Sequence, residues 1–147
     1  MSIQFLLDSQ QIFQGRMGID FSEMTEEEQG KYLHEHSYFL IEETTEMLRE
    51  LKFHKSWKNY DSWGPEEHEN AELKSKEEAI DMLHFMINIF LGLGMNEKEI
   101  LSMYREKNKL NYDRQEKVEL GYVSPNVATE YSISPLDQQE TRTNENK

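Results

Sequence analysis

The sequence predicts an all-α protein, an antiparallel helix bundle, on three observations. Apolar residues recur at helical spacing in four separate stretches. Helix-capping signatures stand at the starts of two of them. The three prolines, at positions 65, 125 and 135, all fall outside these stretches.

Taken in order, Ser2 to Gln14 reads as a first amphipathic helix carrying Ile3, Phe5, Leu6, Leu7, Ile12 and Phe13, with Gly15 and Gly18 punctuating its end. Gln10 and Gln14 stand at i, i+4 and share a face, either as two solvated glutamines or as an amide pair aimed at a ligand. Thr25 with Glu28 forms a capping box and opens a second helical region, expected to reach about His54 with a break around Gly30. Trp57 to Asn70 reads as a loop marked by Gly64-Pro65. Glu77 to Met95 is expected to be the central buried helix, apolar around most of its circumference and ended by Gly92 and Gly94. Asn96 with Glu99 repeats the capping logic and starts a last helix to about Lys117. The reading therefore assigns one domain over 1–122 and a disordered tail over 123–147, where two prolines accompany few apolar residues.

Composition narrows the class of partner. The chain has 147 residues, enough for one domain with a real core, and a formal net charge of -13. That charge argues against nucleic acid as a direct partner, because phosphate backbones need Lys and Arg. It does not exclude a small triphosphate, since bound divalent cations reverse the local field. With no cysteine, disulfides, thiolate ligands and a Cys nucleophile are excluded. The N-terminus lacks a basic segment followed by a long apolar run, and the central stretch is too short and polar to span a bilayer. A cytoplasmic protein without a membrane partner is the expectation.

Two acidic seams carry the chemistry. Glu43, Glu46 and Glu50 stand at i, i+3 and i+7, within roughly 60° of arc on a helix of 3.6 residues per turn. They lie beside the apolar stripe of Leu40, Met47 and Leu51, where like charges destabilise a helix unless a cation compensates. On the central helix Asp81, His84 and Asn88 form a narrow polar seam, with Glu78 one turn earlier. Neighbouring side chains satisfying that seam is the plain alternative to a metal or phosphate site. Two helices offering carboxylates one turn apart suit a hard divalent cation with oxygen ligands, Mg²⁺ or Mn²⁺, better than Zn²⁺. His84 fits a hydrogen-bonding role beside such ligands. On the last helix Lys107, Asn111 and Arg114 share a face, a cationic line that could answer a triphosphate or simply be solvated.

These residues also resemble a known family. Glu43-Thr-Thr-Glu46 with Glu50, then Glu78-Ala-Ile-Asp81, resemble the ExxE…ExxD pattern of the all-α NTP pyrophosphatases, the superfamily of MazG and the dimeric dUTPases. The run EAIDMLHFMINIFLGLGMN, then YREKNKLNYDRQ, then Gly121-Tyr122, is similar to the C-terminal half of the phage dCTP pyrophosphatase/dUTPases, with motifs ExxDxxHF and KNxxNxxRQxxGY. DSQQIFQGR, Asp8 to Arg16, resembles the family's first-helix glutamine motif. The likeness covers about residues 4–122 in patches, and the segment between Gln115 and Gly121 is longer than the motif has.

The resemblance implies Mg²⁺-dependent hydrolysis of a pyrimidine deoxynucleoside triphosphate, dUTP or dCTP, to the monophosphate and pyrophosphate. It implies Glu43, Glu46, Glu50, Glu78 and Asp81 as metal ligands, with Glu46 and Glu50 the catalytic carboxylates. It implies Lys107 and Arg114 on phosphates, Gln10, Gln14 and Asn111 on the base or sugar, and Tyr122 at the substrate. A homodimer is implied too, in the host cytoplasm if the protein is phage-encoded. A MazG-like enzyme of broader specificity and a non-catalytic helical interaction protein are the competing readings.

Overall fold

A computed structural model describes residues 2–52 and 54–115. Every regular element in them is helical: α1 (Ile3–Arg16), α2 (Glu26–Glu50), α3 (Pro65–Gly92) and α4 (Glu97–Gln115), with a short 3₁₀ turn at Tyr60–Ser62. The all-α helical bundle is thus borne out. The chain divides into two compact units, residues 1–97 and residues 98 onward, and α4 is the described part of the second. The proposed tail, 123–147, lies outside the described residues, as does Tyr122.

The helix ends follow from local chemistry. Ser2 caps α1, its hydroxyl accepting from the Phe5 N–H. Both halves of the capping box are present on α2: the Glu28 N–H donates to Thr25 Oγ1 at 3.3 Å, and the Thr25 N–H donates to Glu28 Oε2 at 2.9 Å. α1 and α3 each end in a Schellman motif. The Ile19 N–H reaches the Gln14 carbonyl at 3.1 Å and the Met95 N–H reaches the Phe90 carbonyl at 2.9 Å. The residues that take the left-handed conformation are Gly18 (φ 85°) and Gly94 (φ 68°), so Gly15 and Gly92 are ordinary helical positions.

Three boundaries differ from the sequence expectation. α2 runs unbroken through Gly30, because one glycine in a helix interior costs only about 1 kcal/mol and does not stop it. α2 ends at Glu50 rather than near His54. α3 begins at Pro65, so the expected loop 57–70 is a shorter connection. Gly64-Pro65 marks a helix start: Gly64 is the N-cap and Pro65 needs no N–H partner in the first turn.

In the first unit α2 and α3 run antiparallel. Gln29 near the start of α2 donates to the Gly92 carbonyl at the end of α3 at 2.6 Å, while Glu43 meets Glu78 farther back along α3. α1 also packs on α3. Leu7, Tyr32 and Ile87 are the buried apolar centre of these three helices, and Gln14, His36 and Asn88 are buried polar groups among them. Gly92 lets α2 and α3 come close. A Cβ there would stand 2.9 Å from Leu33 Cδ2 and 3.0 Å from the Tyr32 ring. Among the described residues no single helix is long and apolar enough to cross a membrane.

Candidate functional site

The antiparallel pairing of α2 and α3 brings the two acidic seams together. Glu43, Glu46 and Glu78 each present a carboxylate oxygen, and these oxygens lie within 4.8 Å of one another. The three could hold a metal ion. Glu43 feels the crowding: burial pushes its carboxyl above the usual range, helped by a hydrogen bond with Glu78 and the charges of Asp81, Glu46 and Glu78. An all-oxygen donor set fits a hard divalent cation, which would replace this repulsion with attraction.

Asp81 stands beside the cluster. Its Oδ1 is 3.4 Å from His84 Nδ1 one turn on, both side chains about half exposed, so the pair is a weak contact that a cation would readily compete with. Glu50 goes elsewhere. One turn beyond Glu46, it lines a separate hollow with Lys52, Trp63, His68 and Glu72.

Glu43, one of the three clustered carboxylates, also lines a cavity of about 730 Å³ in the first unit. Glu43, Asp81 and His84 line it together with Gln10, Gln14 and Asn88. The first-helix glutamines and the acids thus border one space, as their sequence positions alone did not determine. Gln14 is 2% exposed and Gln10 half-buried.

Aromatic rings line the same cavity. His36 stacks on Tyr32 with centroids 3.8 Å apart, and Phe39 and Phe85 follow at 5.8 and 6.0 Å from His36. The His36 ring is fixed, because its Nδ1 lies 2.9 Å from the Tyr32 carbonyl, which only accepts, so Nδ1 carries the proton. Burial pushes the Tyr32 phenol far above its ordinary value, with the Glu35 carboxylate adding to the effect, so its hydroxyl keeps its proton at neutral pH. Tyr32 and His36 were not singled out in the sequence. Their spacing of four on a helix with Phe39 was the available signal.

The remaining expected residues lie on α4. Lys107, Asn111 and Arg114 are exposed there on one face of the helix. In the connection before α3, Lys58 Nζ sits 5.3 Å from the Trp63 ring and 5.7 Å from the Tyr60 ring, a packing role.

Comparison with known proteins bears on this arrangement. The dCTP pyrophosphatase of Enterobacteria phage T4 is 44% identical to the chain over 59 residues, 40% of this chain and 32% of that protein. The dCTP pyrophosphatase of Enterobacteria phage LZ5 is 44% identical over 46 residues, 31% of this chain and 27% of that protein. The chain is similar to phage dCTP pyrophosphatases over part of its length. A DNA replication protein of phage T4 is also 44% identical over 52 residues, 35% of this chain and 12% of that protein. The chain spans about a third or less of the length of these curated relatives. No family model and no solved structure matches it.

Proposed function

We propose that the protein is a divalent-metal-dependent nucleoside triphosphate pyrophosphohydrolase that cleaves a pyrimidine deoxynucleoside triphosphate, dCTP or dUTP, to the monophosphate and pyrophosphate. One observation carries the reading. Glu43, one of three clustered carboxylates, and Asp81 line the same cavity as two glutamines and an aromatic wall, a combination suited to a metal-bound triphosphate with a planar base. The names of the phage relatives point to the same reaction.

Glu43, Glu46 and Glu78, with Asp81 beside them, are the residues that would hold Mg²⁺, or Mn²⁺ in its place. Bound there, the cation supplies charge neutralisation for the triphosphate and lowers the pKa of a coordinated water. The chain's own groups do the rest. Glu46, the most exposed of the three, is assigned as the base that would accept a proton from the attacking water as the α–β phosphoanhydride breaks and pyrophosphate leaves. The His36, Phe39 and Phe85 rings offer a base a flat apolar face and exclude water from it. Gln10 and Gln14 present amides that both donate and accept, matching either pyrimidine edge. Lys107 and Arg114 on α4 are assigned to phosphates, and Asn111 and Tyr122 to the nucleoside, on the sequence motifs alone. Glu50 is kept as a second candidate base on the same ground.

A homodimer belongs to the proposal. Tyr38, Ile41 and Leu48 on one side of α2 and Ile80 and Leu83 on α3 are large apolar side chains that a lone chain leaves exposed. Light scattering on the purified protein should give twice the chain mass.

The test of function is a nucleotide panel with pyrophosphate release measured in Mg²⁺ and in EDTA. Hydrolysis of dCTP or dUTP well above dATP and dGTP is expected, and only with metal. Equal use of all four would favour a broad house-cleaning enzyme. No turnover, together with no rise in melting temperature on adding Mg²⁺ and a non-hydrolysable dCTP analogue, would leave a helical interaction protein.

A further inference from the structure

Two residues that line the cavity each carry a buried polar atom with no partner among the described residues. Asn88 on α3 is 2% exposed, and its Oδ1 accepts no hydrogen bond from any described residue. Tyr32 on α2 is 5% exposed, and its hydroxyl likewise makes none. Folded proteins hold few such groups, since water lost on burial is not replaced, so each calls for a reason. These two are neighbours: the Tyr32 ring lies against Gly92, which sits one turn beyond Asn88 on the same face of α3. Both line the cavity that holds Gln10 and Gln14. Tyr32 is also locked in place, stacked on His36 at 3.8 Å and met edge-on by Phe21 at 5.3 Å. A polar pair on residues lining an aromatic-walled pocket is what the rim of a planar heterocycle would satisfy.

We propose that Asn88, supported by Tyr32, reads the hydrogen-bonding edge of the substrate base, with Asn88 Oδ1 accepting from the 4-amino group of cytosine. This rests on the pyrimidine triphosphatase reading and makes Asn88 the residue that favours cytosine over uracil. In the amide orientation of the structure the unpartnered Asn88 atom is Oδ1, an acceptor that calls for a donor, and cytosine carries one at the 4-position where uracil carries a second acceptor. A site built to hydrogen-bond a substrate group discriminates against the analogue lacking it, because the buried partner is then left unpaired.

The test uses the full-length protein and two variants, Asn88→Leu, close in size but unable to hydrogen-bond, and Asn88→Ser, smaller and still polar. Turnover of dCTP and dUTP and calorimetric binding of dCMP and dUMP are measured for each. Wild type should favour the cytosine member of both pairs. Asn88→Leu should lower kcat/KM for dCTP by about 10- to 100-fold and for dUTP by much less, collapsing the ratio. Its metal-free melting temperature should hold or rise, since an unpartnered polar group leaves the core, and Asn88→Ser should retain part of the cytosine preference. Loss of dCTP and dUTP use by the same factor in both variants, with the dCMP:dUMP binding ratio unchanged, would overturn the inference while leaving the activity standing. Binding of dCMP that depends on Asn88 in a protein that hydrolyses nothing would overturn the catalytic reading and keep this one.

Discussion

Replacing one carboxylate of the cluster should make the metal-free protein more stable and inactive at once. In Glu46→Gln the amide keeps the side chain's shape and removes one of three negative charges whose oxygens lie within 4.8 Å of each other. Two repulsive pairs disappear. Each is worth about 1 kcal/mol at that distance in water-like dielectric. A Debye length of about 8 Å at physiological salt roughly halves this, leaving about 1 kcal/mol for the two. For a domain of this size that is a rise of about 4 °C in melting temperature. The assay is thermal unfolding by circular dichroism in EDTA and again in 10-fold steps of Mg²⁺, alongside pyrophosphate release from dCTP. The variant should melt higher than wild type in EDTA, gain little from Mg²⁺, and turn over nothing measurable. Asp81→Asn should lose activity in the same way. A variant that melts lower than wild type in EDTA, keeps the full Mg²⁺ increment and hydrolyses dCTP normally would refute both the electrostatic reasoning and the ligand assignment.

Arg114→Ala should lower kcat/KM for dCTP and dUTP by similar factors, because a phosphate contact is common to every nucleoside triphosphate, while Asn111→Ala should change their ratio. Steady-state kinetics on both substrates separates the two roles. Gly92→Ala should destabilise by about 1–3 kcal/mol, since the added Cβ would meet the Tyr32 ring at 3.0 Å and Leu33 at 2.9 Å; chemical denaturation measures it. Thr25→Ala removes the capping box and should lower the melting temperature at neutral pH by a few degrees. The Thr25 hydrogen bonds hold the Glu28 carboxyl below its usual range, so this stabilisation is present above the unfolded value of 4.5 and is lost as pH falls through the lower folded value. The gap between wild type and Thr25→Ala should therefore narrow as the melts are repeated in more acidic buffer, leaving the part due to the Glu28 N–H bond to Thr25 Oγ1.

What the sequence made legible was local. The Thr25–Glu28 box, the Ser2 start and the glycines after α1 and α3 each act within one or two turns, so their chemistry is written in adjacent residues. The first three turns of α3 were not legible. Glu66 to Lys76 is made of good helix formers with almost no apolar stripe, so periodicity is silent there, and Gly64-Pro65 reads equally as a turn or as a helix start.

The same division holds at the site. Carboxylates at i, i+3 on two helices announced the cluster, because that spacing faces one way whatever the partner. Which acid meets which depends on how α2 and α3 are registered, and no local rule sets it. Glu50 lies in line with Glu43 and Glu46 in the sequence, yet by the next turn it faces the Lys52–Glu72 hollow instead. Asn88 was visible as a polar residue in an apolar run, but its lack of a partner, and its closeness to Tyr32, exist only once α2 packs against Gly92.

The central claim, that the carboxylate cluster serves hydrolysis between the α- and β-phosphates, is tested most directly by ³¹P NMR of dCTP incubated with the purified protein. With Mg²⁺ present, the triphosphate signals should give way to one monophosphate resonance and one pyrophosphate resonance in equal molar amounts, and with EDTA they should persist. Appearance of dCDP and orthophosphate, or no change with Mg²⁺ at protein concentrations where the fold is intact, would contradict it.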